Sequence, residues 1–196
     1  MNSVICAIVL AAGKSERMGA PKALLRSGGG TFLESILARI RSTSIEGEVV
    51  VLGHHRDEIL RAVDAGNWVY NPAYEQGMTT SFQLGIRQLP PRADGAMLFL
   101  VDHPAPAVAT IETLIGAFRP GHIVVPACGG RRGHPVLFSR EILDEISGLP
   151  ADVGANSVVR ARPERVIPVP VDDPAVLADI DTPEDFRHWR RSEDAR

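Results

Sequence analysis

The chain has 196 residues, of which 21 are Lys or Arg and 24 are Asp or Glu, giving a net charge of −3 with histidine neutral. That length suits one compact domain over residues 1–196, and a composition 44% hydrophobic and 23% charged excludes long disorder, collagen-like repeats and a fibrous fold. The mild acidity argues against a nucleic-acid footprint. Cys6 and Cys128 stand outside any Cys-x-x-Cys or Cys/His cluster, which argues against a disulfide framework and a structural zinc.

The opening apolar run through Ala12 lacks a basic n-region and passes directly into Gly13-Lys14-Ser15-Glu16-Arg17. It reads as a buried strand, Val4–Leu10, followed by a loop, rather than as a secretory leader. No stretch approaches the roughly 18 consecutive apolar residues that a membrane span needs, so a cytosolic protein with no membrane partner is expected. Thr31-Phe32-Leu33-Glu34 fits a capping box, and Leu33, Ile36, Leu37 and Ile40 follow at the spacing of one helical face. Further strands are expected at Val49–Leu52, Trp68–Tyr70, Ala96–Val101, Ile123–Val125, Pro135–Phe138 and Val166–Val171. Helices are expected at Asp57–Ala65, Ser81–Gln88, Val108–Phe118, Ser139–Ile146 (with Ser139 as cap) and Pro183–Arg190. This alternation implies βαβ units, hence an α/β fold whose mainly parallel sheet is covered by helices on both faces.

Parallel sheets bind ligands beyond the carboxyl ends of their strands, so the loops after the first and fourth strands carry the most information. In the first, small residues at 11–13 and Gly19 allow close backbone approach, and Lys14, Arg17 and Lys22 supply three cations. The set suits a polyphosphate; as a bare pattern it also reads as a surface loop with incidental cations. It is neither a Walker A loop nor the Gly-x-Gly-x-x-Gly of dinucleotide enzymes, which weakens a dehydrogenase reading. The fourth strand runs into Asp102-His103-Pro104. His54-His55 follows a strand, where adjacent side chains point to opposite faces, so a shared metal is not expected there. Cys6 and His188 read as structural.

The run Leu10-Ala-Ala-Gly-Lys-Ser-Glu-Arg-Met-Gly-Ala-Pro-Lys22 resembles the Leu-x-[Ala/Gly]-Gly-x-Ser-x-Arg-Met-Gly-x-x-Lys signature of the MobA/MocA-like nucleotidyltransferases, which act on the molybdenum cofactor. Asn71-Pro-Ala-Tyr-Glu-Gln-Gly-Met-Thr-Thr-Ser81 is similar to the Gly-Met-x-x-Ser segment of the cytidylyltransferase branch. Gly130-Arg-Arg-Gly-His-Pro-Val-Leu-Phe138 is similar to its Gly-x-x-Gly-His-Pro loop, and Asp179-Ile-Asp-Thr-Pro-Glu-Asp185 to its closing motif. The resemblance implies a Rossmann-like three-layer α/β/α fold with one or two antiparallel strands near the C-terminus. It implies transfer of CMP from CTP to the terminal phosphate of molybdopterin.

On that resemblance Arg17, Lys22 and Asp102 are the catalytic candidates, with Arg17 toward the β- and γ-phosphates and Lys22 toward the α-phosphate. Leu10, Ala11, Ala12, Gly13, Lys14, Gly77, Met78 and Ser81 complete the nucleotide site, and Arg131, Arg132, Gly133, His134 and Pro135 form the acceptor loop. Mg²⁺ is the expected metal, on Asp102 with Asp181 as second ligand and Asp179 in reserve. Ala11-Ala12-Gly13 stands where guanylyltransferases tend to carry Leu-Ala-Gly-Gly, and a Cβ at position 12 suits a pyrimidine.

Two departures from the pattern are His103, where relatives carry Gln or Met, and Asn156, where arginine is common and Arg160 is a substitute. The competing readings are GTP as donor, a sugar or alditol phosphate as acceptor, and a non-enzymatic cofactor-binding protein supporting a molybdenum hydroxylase. A molybdenum hydroxylase or its maturation factor is the expected onward partner.

Overall fold

A computed structural model describes residues 3–104 and 106–194; Met1 and Asn2, which begin the stretch weighed as a leader, lie outside the described residues. The strands are β1 (Ile5–Ala11), a short hairpin of β2 (Arg26–Ser27) and β3 (Gly30–Thr31), β4 (Glu48–Leu52), β5 (Trp68–Tyr70), β6 (Gly95–Leu100), β7 (Ile123–Cys128), β8 (Arg131–Arg132), β9 (Val136–Ser139) and β10 (Val166–Pro170). The helices are α1 (Phe32–Arg41), α2 (Arg56–Ala62), α3 (Met78–Arg87), α4 (Val108–Gly116), α5 (Arg140–Ser147), α6 (Asn156–Ala161) and α7 (Pro183–Asp194).

Eight strands form one sheet in the order β10-β7-β9-β6-β1-β4-β5, with β8 paired to β7. β1 runs parallel to both β4 and β6, and β4–β5 and β7–β10 are also parallel. β9, inserted between β6 and β7, runs antiparallel to both, and β8 pairs antiparallel with β7. The chain moves from β1 outward to β4 and β5, then returns to the other side of β1 as β6. A crevice opens at that reversal, beyond the carboxyl ends of β1 and β6.

Every residue of β1 is buried because both faces of the strand are covered. Ile5, Ala7, Val9 and Ala11 pack with Leu33, Ile36, Leu37 and Ile40 of α1, Ile59 of α2, and Ile111 and Leu114 of α4. Cys6, Ile8 and Leu10 pack on the opposite face with Phe82 and Ile86 of α3, Ile142, Leu143 and Ile146 of α5, and Val158 of α6. The result is a Rossmann-like three-layer α/β/α fold, and Cys6 is a core residue. The α1 capping box forms as the sequence requires: Thr31 N–H donates to Glu34 Oε2 at 2.7 Å and Glu34 N–H to Thr31 Oγ1 at 3.2 Å. Each fully buried Leu or Ile of that helix contributes roughly 1.5–3 kcal/mol, against about 1 kcal/mol for the cap.

The structure moves several expected boundaries. α2 stops at Ala62, because Val63 is already extended at φ −135°, ψ 133°. α3 starts at Met78, three residues before Ser81, so Ser81 lies inside the first turn. Ser139 precedes α5 as expected, but its side chain makes no capping hydrogen bond. β8, α6 and the β2–β3 hairpin carry too few residues for periodicity to show. Pro168 and Pro170 are tolerated in β10 because it is an edge strand. Among the described residues no helix is long and apolar enough to cross a membrane.

Candidate active site

The crevice is a cleft of about 540 Å³. Leu10, Ala11, Ala12, Gly13, Lys14, Arg17, Lys22, Met78, Ser81, Asp102 and Asp181 all line it. Gly77 is not among the lining residues; it precedes Met78 at the start of α3.

The loop after β1 is shaped by Ser15 and Met18. Ser15 takes a positive φ of 55°, its carbonyl accepts from the N–H groups of Met18 and Gly19, and its hydroxyl accepts from Lys22 N–H at 3.2 Å. Met18 is buried with Phe32, Ile180 and Trp189, which anchors the loop to α1 and α7. Arg17, its neighbour, is left 71% exposed at the cleft. Two histidines stand beside the loop, and one of them braces it. His55 Nε2 lies 3.0 Å from the Lys14 carbonyl and His54 Nδ1 3.0 Å from Tyr74 Oη. The two rings do not point apart as residues of a strand would; they meet edge to face with centroids 4.6 Å apart, because positions 54 and 55 form a turn. At the mouth, Lys14 pairs with Glu75 at 2.7 Å, and that hydrogen-bonded carboxylate raises the lysine pKa.

An ionic cluster lies deeper in the cleft. Lys22 is buried, and its Nζ lies 3.2 Å from Asp102 Oδ2 and also contacts Asp181 Oδ1. Arg17 Nη2 holds the other Asp181 oxygen at 2.6 Å. The Lys22 ammonium, with Arg17 behind it, keeps the Asp181 carboxyl below the ordinary carboxylate range. Ile180 N–H donates to the Asp102 carbonyl, tying the closing motif to the end of β6. Later in that motif Asp185 serves the backbone: its Oδ2 accepts from Asp181 N–H, Thr182 N–H and the Thr182 hydroxyl.

Asp102 Oδ1 is buried and has no hydrogen-bond partner among the described residues. Asp102, His103 and Asp179 each offer one ligand atom within 4.8 Å of the others. Two carboxylates are the hard oxygen donors that Mg²⁺ and Mn²⁺ take, and an orphaned carboxylate oxygen needs a cation or a donor, so the group fits a divalent metal. Asp181 stands outside it with both oxygens committed to Lys22 and Arg17, whereas Asp179 stands inside. Burial and the nearby Asp102 push the Asp179 pKa up, and burial pushes the His103 pKa down against the pull of Asp102.

The Gly130–Pro135 segment divides in two. Cys128 and Arg131 pair across a two-residue hairpin in which Gly129 and Gly130 take φ of 55° and 77°, the left-handed conformations that tight strand turns demand. Arg131 and Arg132 are exposed on β8 and do not line the cleft. Gly133 is pressed against the 174–177 turn: its N–H donates to the Pro126 carbonyl, and a Cβ there would stand 2.1 Å from the Val176 carbonyl oxygen. His134 N–H donates to that same Val176 carbonyl at 2.9 Å. Its ring packs on His103 with centroids 4.6 Å apart at 42°, and burial, with His103 beside it, pushes its pKa down to about 4. Pro135 is buried next to it. Asn156 and Arg160 are exposed on α6.

Sequence reasoning assigned no role to Asn71. It is 3% exposed, its Nδ2 donates to Thr80 Oγ1 at 3.0 Å and Ser81 Oγ at 2.9 Å, and its Oδ1 accepts from Ala73 N–H. An Asn-Pro directly after a strand is the available signal, since asparagine side chains organise turns by bonding backbone two residues on.

Residues 7–166 match the MobA-like NTP transferase domain. The chain belongs to this family. It is therefore a nucleotidyltransferase. It is 28% identical to the molybdenum cofactor cytidylyltransferase of Escherichia coli K12 over 95% of each chain. It is also 28% identical to the purine catabolism protein PucB of Bacillus subtilis 168, over 94% of this chain and 95% of that one. The crystal structure of Rv0371c from Mycobacterium tuberculosis H37Rv superposes with a TM-score of 0.87 at 30% identity, covering 97% of this chain and 99% of that one. A manganese complex of Rv0371c superposes with a TM-score of 0.82 at 28% identity, over 97% of this chain and 100% of that one.

Proposed function

We propose that the protein acts in the cytoplasm as a molybdenum cofactor cytidylyltransferase, moving CMP from CTP to the terminal phosphate of molybdopterin with Mg²⁺ and releasing pyrophosphate. The observation that supports it best is buried Lys22 held between Asp102 and Asp181 inside the cleft, beside a group fit for a metal. Family membership favours nucleotidyl transfer, and the E. coli relative, whose name carries this activity, favours this donor and acceptor.

The reaction is an in-line displacement. An acceptor phosphate oxygen bonds to the α-phosphorus of CTP while the bond from that phosphorus to the β-phosphate bridging oxygen breaks and the electron pair leaves on pyrophosphate. A phosphate monoester is largely ionised at neutral pH, so no general base is required and the work is positioning and charge neutralisation. Lys22 supplies a positive charge already desolvated and fixed in direction, which costs no reorganisation as charge develops at the α-phosphate. Arg17, 71% exposed and paired with Asp181, has room to turn to the β- and γ-phosphates. Asn71 orients Ser81 toward the base, and the Lys14–Glu75 pair narrows the mouth. Asp102 and Asp179 would hold a divalent cation, which would supply Lewis-acid neutralisation of the phosphate oxygens. Arg131 and Arg132 stand on the hairpin that leads to His134, where an anionic acceptor meets them first.

The test is pyrophosphate release from CTP, Mg²⁺ and molybdopterin, followed in the wild type and in Asp102→Asn. The variant is expected to fold and to lose release; undiminished turnover removes Asp102 from the reaction. Thermal shifts with each of the four triphosphates read the donor, since a ligand at 100 times its Kd stabilises by about 2.7 kcal/mol. Nucleotide binding without pyrophosphate from any acceptor would replace this reading with the accessory-protein one.

A further inference from the structure

His103 follows Asp102 at the end of β6 with its side chain only 12% exposed, and its surroundings state what it can do. Its Nε2 lies 4.0 Å from Asp102 Oδ1, too far for a hydrogen bond, and that oxygen is buried with no hydrogen-bond partner among the described residues. The other Asp102 oxygen is already engaged by Lys22, so Oδ1 is the free one. Two ligands bound to one cation at about 2.1 Å each stand roughly 3–4 Å apart, so a cation between these two atoms joins them without rearrangement. Asp179 closes the third side of the group. The His134 ring packs against His103 from the acceptor loop and restricts how the imidazole can turn. His103 Nδ1 is buried and engages no hydrogen-bond partner among the described residues, so at that nitrogen no protein group competes for the ring.

We infer that His103 is a metal ligand, making the site a mixed nitrogen and oxygen set, Asp102–His103–Asp179, that binds Mn²⁺ and similar transition-metal ions more tightly than Mg²⁺. Mg²⁺ is held by oxygen and keeps its waters, whereas an imidazole nitrogen favours transition metals. A phosphate is the other partner an imidazole could take. The ring faces the Asp102 carboxylate, whose charge repels an anion and attracts a cation. The inference rests on the nucleotidyl-transfer reading for the role of the metal, and on the geometry alone for its ligands.

The experiment uses the full chain freed of metal and loaded with Mn²⁺ alone, read by pulsed electron paramagnetic resonance and by competition with Mg²⁺. The expected result is a ¹⁴N coupling from a directly bound imidazole, with Mn²⁺ preferred over Mg²⁺ by tenfold or more. His103→Gln should abolish the coupling and lower the preference on the order of tenfold. Should that variant fail to fold, wild-type protein grown with ¹⁵N-histidine carries the test, because the ¹⁴N modulation must be replaced by the ¹⁵N pattern. Bound Mn²⁺ without nitrogen coupling, or no Mn²⁺ binding at millimolar concentration, overturns the inference. Pyrophosphate release from CTP can persist in either case. Loss of that release with nitrogen coupling intact would instead fail the proposed function and leave the ligand set standing.

Discussion

Lys22 and Asp102, 80 positions apart in the chain, meet with Nζ 3.2 Å from Oδ2, and the same ammonium also contacts Asp181, 159 positions away. One buried cation thus joins the loop after β1, the end of β6 and the closing motif before α7. Its charge offsets two carboxylates that would otherwise repel each other, which makes the side chain a structural pin for the three segments.

Lys22→Met keeps the aliphatic length and removes the charge. The carboxylates are about a quarter exposed, so solvent screens part of the penalty, and a loss of about 2 kcal/mol is expected from the shift of the urea midpoint. Pyrophosphate release should fall a hundredfold or more, the scale of removing one preorganised donor from a developing charge. Stability lost with turnover unchanged would confine Lys22 to the structural role.

His134 makes stability depend on pH. Its folded pKa of about 4 lies below the ordinary histidine value of 6.5, because burial disfavours the charged ring and His103 adds to the effect while Asp102 opposes it. Between those values the unfolded chain binds more protons than the folded one. The contribution is therefore complete above pH 6.5 and is lost as the pH falls toward 4, by about 3 kcal/mol at most. Asp181, held below 3.8, loses its contribution only at still lower pH. In metal-free protein, His134→Gln should flatten the denaturation profile between pH 6.5 and 4, and an unchanged slope there would assign the acid sensitivity to another group.

Gly130 and Gly133 are required for different reasons, so their alanine variants should differ. Gly130→Ala meets open space and pays only for a left-handed φ of 77°, about 1 kcal/mol. Gly133→Ala drives a Cβ to within 2.1 Å of the Val176 carbonyl oxygen, which backbone must yield to, at roughly 2–3 kcal/mol. Because His134 follows directly and is bonded to Val176, the second variant should also impair turnover. Melting temperatures in the reverse order would refute the steric account.

Asn71 bonds Ser81 and does not itself line the cleft, so a positioning role is the one to test. Asn71→Ala leaves buried hydroxyls without a donor, costing about 1–3 kcal/mol of stability. The KM for the nucleotide should rise about tenfold, the equivalent of one lost 1.4 kcal/mol interaction, with kcat changed far less. Steady-state kinetics separates the two; a fall in kcat alone would contradict it.

Sequence periodicity and local pairing were sufficient for much of this protein. The α1 capping box joins residues three apart, the Trp68–Tyr70 strand is bounded by its own turn residues, and the burial of β1 follows from an unbroken apolar run. The motif from Leu10 to Lys22 located the cleft because strand, glycine and cations are contiguous in it. The roles of its individual side chains were not legible there. Arg17, Met18 and Lys22 lie within six positions, yet one faces the cleft, one enters a core with Trp189, and one is buried between two carboxylates. The candidate metal group is a similar case. Asp181 and Asp179 are equivalent candidates by spacing, and only the fold shows that Lys22 and Arg17 occupy one while the other faces Asp102 and His103. The physical reason is that helix faces, caps and strand alternation are set by neighbours a few residues away. Which distant side chains meet depends on sheet order, here on β6 returning beside β1 and on β9 inserting between β6 and β7 to bring His134 against His103.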